Sequence, residues 1–158
     1  RFARLDLKYH SPRSGRFVRG DIARGELYYT NSTQLNIAAN TDPFARVRSE
    51  GLFHPLIEGN ALTSVWLGES RPSAGEMARF VADAFRETSS SQLVFSPEFT
   101  VCPACRKTVR GLKPSCTACG STRVEGITRV GGYLTHTSRL TRGKLAELRD
   151  TCRAESLR

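Results

Sequence analysis

Residues 100–121 read T-V-C-P-A-C-R-K-T-V-R-G-L-K-P-S-C-T-A-C-G-S, residues 127–134 read I-T-R-V-G-G-Y-L, and R-G-K follows at 142–144. Four of the five cysteines lie in the first stretch, as Cys102-x2-Cys105 and Cys116-x2-Cys119, with ten residues between the pairs. A two-residue spacing lets one tight turn aim two thiolates at one ion, and two such turns make a tetrahedral set. Gly111 and Gly120 bring permissive backbone to those turns. Two disulfides would require an oxidising compartment, and the chain shows no secretory signal. A redox C-x-x-C is ordinarily single and lies near a βαβ unit. Structural tetrathiolate zinc is therefore favoured over iron at the same ligands, over disulfides and over redox use. Four thiolates leave no open coordination position, so the ion would clamp rather than catalyse.

What such a clamp would hold is the pentad Arg129-Val130-Gly131-Gly132-Tyr133. Alone, a Gly-Gly between Val and Tyr reads as a tight turn. It stands in a longer run from Phe95 to Leu148, F-S-P-E-F-T-V-C-P-A-C … C-T-A-C-G-S … V-E-G-I-T-R-V-G-G-Y-L … R-G-K-L-A-E-L. That run resembles the C-terminal end of anaerobic (class III) ribonucleoside-triphosphate reductases. Y-Y-T-N-S-T (28–33), E-G-L-F-H-P-L-I (50–57) and V-W-L-G-E (65–69) resemble the same family in the same order, so the resemblance covers most of the chain.

The resemblance implies that Gly132, the glycine before Tyr133, carries a stable glycyl radical. Glycine suits that role because a Cα radical is stabilised when planar and conjugated with the flanking amides, a geometry in which a side chain would clash. Gly131 stands where the family more often has a residue with a side chain. The implied chemistry has an activating enzyme, bearing an iron–sulfur cluster and S-adenosylmethionine, abstract a Cα hydrogen from Gly132. The radical would then pass to a cysteine as a thiyl, which attacks the ribose of a ribonucleoside triphosphate. None of the five cysteines lies where the family's thiyl cysteine would, upstream of this chain. The implied fold is α/β, the later strands and helices of a ten-stranded α/β barrel, followed by a zinc ribbon and a glycyl radical loop. The implied division is a partial barrel at 1–97, a four-cysteine zinc ribbon at 98–122, the radical loop at 123–144 and a tail helix at 145–158. The implied partners are the activating enzyme, the remainder of the reductase, a second copy in a homodimer, and the nucleotide substrates.

The chain has 158 residues, a net charge of +9 and 39% hydrophobic residues, the composition of an ordinary globular domain. No apolar run approaches membrane-spanning length, and no lipidation signal is visible. Reduced metal-binding cysteines make the cytoplasm the expected compartment. Starting at Arg1 in what already reads as mid-domain, the sequence looks like a fragment or the product of a truncated or split gene. Residues 98–158 carry twelve Lys/Arg against five Asp/Glu, whereas 31–97 carry five against seven. A basic zinc ribbon is also a nucleic-acid signature, which makes a nucleic-acid-binding module the rival reading. Only Phe99 and Tyr133 offer stacking surfaces there, which counts against it. A spare-part protein that replaces an oxygen-damaged radical end is a further alternative, for which residues 1–95 are excess.

Along the chain, Leu5, Leu7 and Tyr9 alternate as in a strand over 2–9. Ser11–Gly15 reads as a turn, Phe17-Val18 as a short strand, and Glu26 onward as another strand. Asp42-Pro43 opens a helix that ends near Gly51. His54-Pro55 is expected to be extended. Ser64–Leu67 is a strand ending at Gly68. Ser73 and Glu76 form a capping box for a helix ending near Thr88, its apolar face made of Met77, Phe80, Val81, Ala84 and Phe85. A strand follows at Gln92–Phe95. His10, His54 and His136 read as structural hydrogen-bonders rather than catalytic groups. Asn31 and Ser32 are assigned no chemical role and read as strand-end hydrogen-bonders. In the tail helix, Leu145, Leu148 and Cys152 share a face, so Cys152 reads as a small buried apolar residue, with redox use the lesser alternative.

Overall fold

The structure is a computed structural model that describes residues 2–11, 17–30, 33–36, 39, 41–130 and 133–156, with side chains up to residue 150. The expected turn residues 12–15, together with Asn31, Ser32, Gly131 and Gly132, lie outside the described residues. The chain divides into two compact units, residues 1–40 with 140–158, and residues 41–139. No helix among the described residues is long and apolar enough to cross a membrane.

In the first unit, α1 spans Phe2–His10 where a strand was expected. The segment F-A-R-L-D-L-K-Y has no β-branched residue and is rich in good helix formers, so the apparent alternation is incidental. Its inner face is Ala3, Asp6 and Leu7, at helical spacing, while Phe2, Leu5 and Tyr9 are exposed. The strands β1 (Arg19–Asp21) and β2 (Glu26–Tyr28) pair antiparallel, Arg19 opposite Tyr28. β1 thus begins one residue beyond the Phe17-Val18 expected for it. The tail helix α4 (Arg142–Ser156) packs on β2. A Cβ on Gly143 would stand 2.3 Å from the Leu27 carbonyl oxygen, so this helix approaches the strand more closely than a side chain would permit. Tyr28 Oη donates to Asp150 at 2.5 Å, and Arg149 pairs with Glu26. The Cys152 side chain lies outside the described side chains.

The second unit begins with α2 (Pro43–Gly51), capped by Asp42, whose Oδ1 accepts the amides of Phe44 and Ala45, both at 2.9 Å. A 3-10 turn at His54–Leu56 replaces the expected extended segment, closed by the Ile57 amide on the His54 carbonyl at 3.2 Å. The ring of His54 is held from the other side by Ser91, as described below, which favours the turn over the extended form. Then β3 (Thr63–Gly68), α3 (Ala74–Glu87) and β4 (Leu93–Pro97) form a strand–helix–strand unit, with β3 and β4 parallel and Thr63 opposite Leu93. The capping box is present, with Glu76 N donating to Ser73 Oγ and Ser73 N to Glu76 Oε2. Val47, Val65 and Ala84 form the core, with Phe44, Phe80, Leu93 and Phe95 packed on it. Phe80 meets Phe44 and Phe95 edge to face, at centroid distances of 6.0 and 5.9 Å. Of the expected α3 stripe, Phe85 is 49% exposed and takes no part in this core. Last comes a four-stranded antiparallel sheet in the order β6-β5-β7-β8, made of β5 (Phe99–Val101), β6 (Thr108–Arg110), β7 (Glu125–Val130) and β8 (Tyr133–His136).

Candidate metal centre and the glycine hairpin

The two C-x-x-C turns are built alike. In the first, the Arg106 amide donates to the Cys102 carbonyl at 2.8 Å, and the Cys102 amide to the Lys107 carbonyl at 2.9 Å. In the second, Gly120 donates to Cys116 at 2.9 Å, and Cys116 to Ser121 at 2.8 Å. Arg106 and Gly120 hold corresponding places and both have positive φ, +59° and +71°. Glycine adopts that conformation freely, whereas arginine does so at a cost that the knuckle's two hydrogen bonds offset.

These turns bring all four sulfurs within 4.8 Å of one another, with Cys102–Cys119 at 3.6 Å and Cys105–Cys116 at 3.5 Å. None of the four is in a disulfide. A tetrahedral ion with metal–sulfur bonds of about 2.3 Å holds its sulfurs about 3.8 Å apart, so the donor set fits a single ion of that kind. Cys102 and Cys116 are buried; the amides of Ala118 and Cys119 pull the Cys116 thiol down, while the three neighbouring sulfurs push Cys119 up, so the four sulfurs titrate as one crowded set.

β5 runs directly into Cys102 and pairs with β7, Phe99 opposite Ile127 and Val101 opposite Glu125. β7 pairs in turn with β8, whose register ends at Val130 opposite Tyr133. The sulfur cluster is therefore linked through β5 and β7 to Val130 and, through β8, to Tyr133, the residues on either side of Gly131-Gly132. Tyr133 and Leu134 are exposed, at 65% and 47%.

Beneath the sheet lies a polar layer that the sequence reading did not assign. Glu98 is 4% exposed, its carboxyl pushed above the usual range by burial, and it accepts from Thr128 Oγ1 at 3.2 Å. Thr100 Oγ1 donates to the Gly111 carbonyl at 2.7 Å and accepts the Lys113 amide at 2.8 Å. Gly111 has φ +84°, and a Cβ there would stand 2.6 Å from Glu69 Cγ. These contacts tie the loop between the cysteine pairs to β5, and β5 to β7. The signal for them was a strand parity that puts Glu98, Thr100 and Thr128 on inward faces, which cannot be told until the pairing register is known.

Two of the three histidines have polar partners. His54 is buried between Ser91 and Thr63, and His136 Nδ1 lies 2.8 Å from Glu125. His10 is exposed at the end of α1.

The family profile for anaerobic ribonucleoside-triphosphate reductase matches residues 1–153. Two solved structures of the anaerobic ribonucleotide reductase from Thermotoga maritima share this fold. The one in complex with dATP and CTP is 20% identical at a TM-score of 0.56, covering 96% of this chain and 21% of that one. The one with glycerol in the active site is 22% identical at a TM-score of 0.57, covering 97% and 22%. The chain thus spans about a fifth of the length of the structures it matches. No curated protein matches it.

Proposed function

Because the chain belongs to the anaerobic ribonucleoside-triphosphate reductase family, we propose that it is the radical-bearing C-terminal part of such an enzyme, which converts ribonucleoside triphosphates to deoxyribonucleoside triphosphates for DNA synthesis. Gly132 carries the glycyl radical, installed by an activating enzyme with an iron–sulfur cluster and S-adenosylmethionine. Cys102, Cys105, Cys116 and Cys119 hold a structural zinc. When bound, that ion supplies fixed geometry and no open position for chemistry. The chain's own residues do the rest: β5 and β7 carry that fixed geometry to Val130 and Tyr133, and the Glu98–Thr128 bond holds β7 from its inner face. Residues 1–97 belong to a ten-stranded barrel completed by the remainder of the enzyme, residues 98–122 are the zinc ribbon, 123–144 the radical loop and 145–158 the tail. The enzyme works in the cytoplasm as a homodimer.

The observation that carries this reading is the sulfur cluster at the end of β5, tied by strand pairing to Val130 and Tyr133, the neighbours of Gly131-Gly132 in sequence. Nucleic-acid binding finds no comparable support, since no row of aromatic side chains accompanies the basic segment.

The test is anaerobic activation of the chain, assembled with its N-terminal portion, by a matching activating enzyme, S-adenosylmethionine and a reductant. A doublet electron paramagnetic resonance signal is expected, then cleavage at Gly132 on admission of oxygen, both abolished by Gly132→Ala. Silence from an assembled, zinc-loaded sample would return Gly132 to the status of a turn residue.

A further inference from the structure

Among the described residues, Arg106 is the one non-glycine at positive φ, +59°. Arginine is costlier there than glycine, and the twin turn shows the cheaper solution, Gly120 at +71°. A strained residue that the turn itself does not require points to a task for its side chain. Arg106 is exposed, so that task is not packing, and unlike Arg46, Arg48 and Arg86 it has no carboxylate partner among the described residues.

The two turns differ a second time, at their sulfurs. Cys116 Sγ accepts the Ala118 amide at 3.4 Å and also the Cys119 amide, and Cys119 Sγ accepts the Ser121 amide. Among the described residues, the sulfurs of Cys102 and Cys105 meet only the sulfurs of the second turn. Four thiolates around a divalent ion leave two negative charges, and the N–H donors of the second turn disperse that charge on its side. The first turn has two adjacent cations instead, Arg106 and Lys107, directly after Cys105. No Asp or Glu occurs from 99 to 124 to draw them away, and the next acid, Glu125, is engaged by His136 and Ser138. A side chain on the residue after a ligand lies within the Debye length of about 10 Å at 0.1 M salt, close enough to act on the cluster through water.

We infer that Arg106 sets how tightly the metal is held. Its charge offsets the negative charge of the tetrathiolate at the turn whose sulfurs lack amide donors, which is why arginine stands where glycine would fit. The inference rests on the reading that the four cysteines hold a metal and is independent of whether Gly132 carries a radical.

The experiment is competition for zinc between the chain and a chromophoric chelator of known affinity, at roughly 0.1 M and roughly 1 M salt. Wild type, Arg106→Gln, Arg106→Lys and Arg86→Gln are compared after the far-ultraviolet circular dichroism of their zinc-loaded forms is matched. Gln and Lys are unbranched like Arg, so the three carry the same backbone cost at positive φ and differ in charge. Should Arg106→Gln not fold, Arg106→Asn, which is better suited to positive φ, takes its place. Arg86, exposed on α3 and paired with Asp83, controls for the overall charge of +9. At the lower salt Arg106→Gln is expected to hold zinc about threefold more weakly than wild type, with Arg106→Lys and Arg86→Gln unchanged. At the higher salt, where the Debye length falls to about 3 Å, that difference is expected to vanish. Equal affinity of Arg106→Gln and wild type at the lower salt, a loss in Arg106→Lys as large as in Arg106→Gln, or equal weakening by Arg86→Gln would overturn the inference. A chain that takes up no zinc at all would overturn the metal reading beneath it, an outcome distinct from zinc taken up without regard to Arg106.

Discussion

His54 shows how a single buried side chain can set a pH dependence. The Ser91 amide donates to Nδ1 at 2.9 Å, which requires that nitrogen to be unprotonated, and Nε2 lies 3.5 Å from Thr63 Oγ1. Burial moves the ring below its ordinary value, because the charged form would lose water without gaining an anion. An unfolded histidine titrates near 6.5, so below that pH the unfolded chain binds a proton that the folded chain refuses. The bound-proton difference is then positive, and stability falls as pH drops. Urea melts are expected to show stability level above about pH 7 and declining below about 6.5, by at most about 1.4 kcal/mol per pH unit from this residue. Acid also competes for the cysteine thiolates, so the quantity to read is the difference between wild type and His54→Gln at constant zinc occupancy. An unchanged slope in His54→Gln would assign the acid sensitivity elsewhere.

Among the elements, what could be read in advance were those whose causes are local. Ser73 and Glu76 announce α3 within four residues, Asp42-Pro43 announces α2, and the paired C-x-x-C turns announce the sulfur cluster, because each spacing carries its own geometry. α1 was misread since eight residues of alternating apolar character satisfy either period, and the absence of β-branching, which decides it, weighs less than the pattern. The 3-10 turn at His54 depends on Ser91, 37 residues away. The Glu98 layer depends on which strands pair and in which register, information that no window of sequence contains. The same distinction predicts what metal removal does. Each cysteine turn makes only two backbone hydrogen bonds, and β5 and β6 are three residues each, too short to persist unaided. Chelation of the metal is expected to release amide protection in β5, β6 and the first half of β7, while β3, β4 and α3 keep theirs around Val47, Val65 and Ala84. Hydrogen exchange with and without chelator reads this directly. Uniform loss across both regions would mean that the sulfur cluster supports the whole unit, and no loss would mean that it is not a structural clamp.

For the molecule as a whole, the distribution of cysteines sets the limit on activity. A reductase of the proposed kind needs a thiol beside its substrate to receive the radical, and this sequence has five cysteines to offer. Four are gathered into one cluster, where bound metal would occupy every sulfur. The fifth, Cys152, belongs to α4, C-terminal to Gly132 in the sequence. The chain also spans about a fifth of the solved structures it matches, so the residues that would surround a substrate are mostly outside it. Radical storage and radical use should therefore separate experimentally. The chain alone, given activating enzyme, reductant and radiolabelled CTP under anaerobic conditions, is expected to yield no labelled dCTP. Supplied with the N-terminal portion of the enzyme, it is expected to turn over, and Gly132→Ala should abolish that turnover while the protein retains its zinc. Loss of turnover with loss of zinc would point instead to a collapsed hairpin. Product from the isolated chain would mean that one of its own cysteines serves as the thiyl site, and the sulfur cluster would then need a role other than a closed clamp.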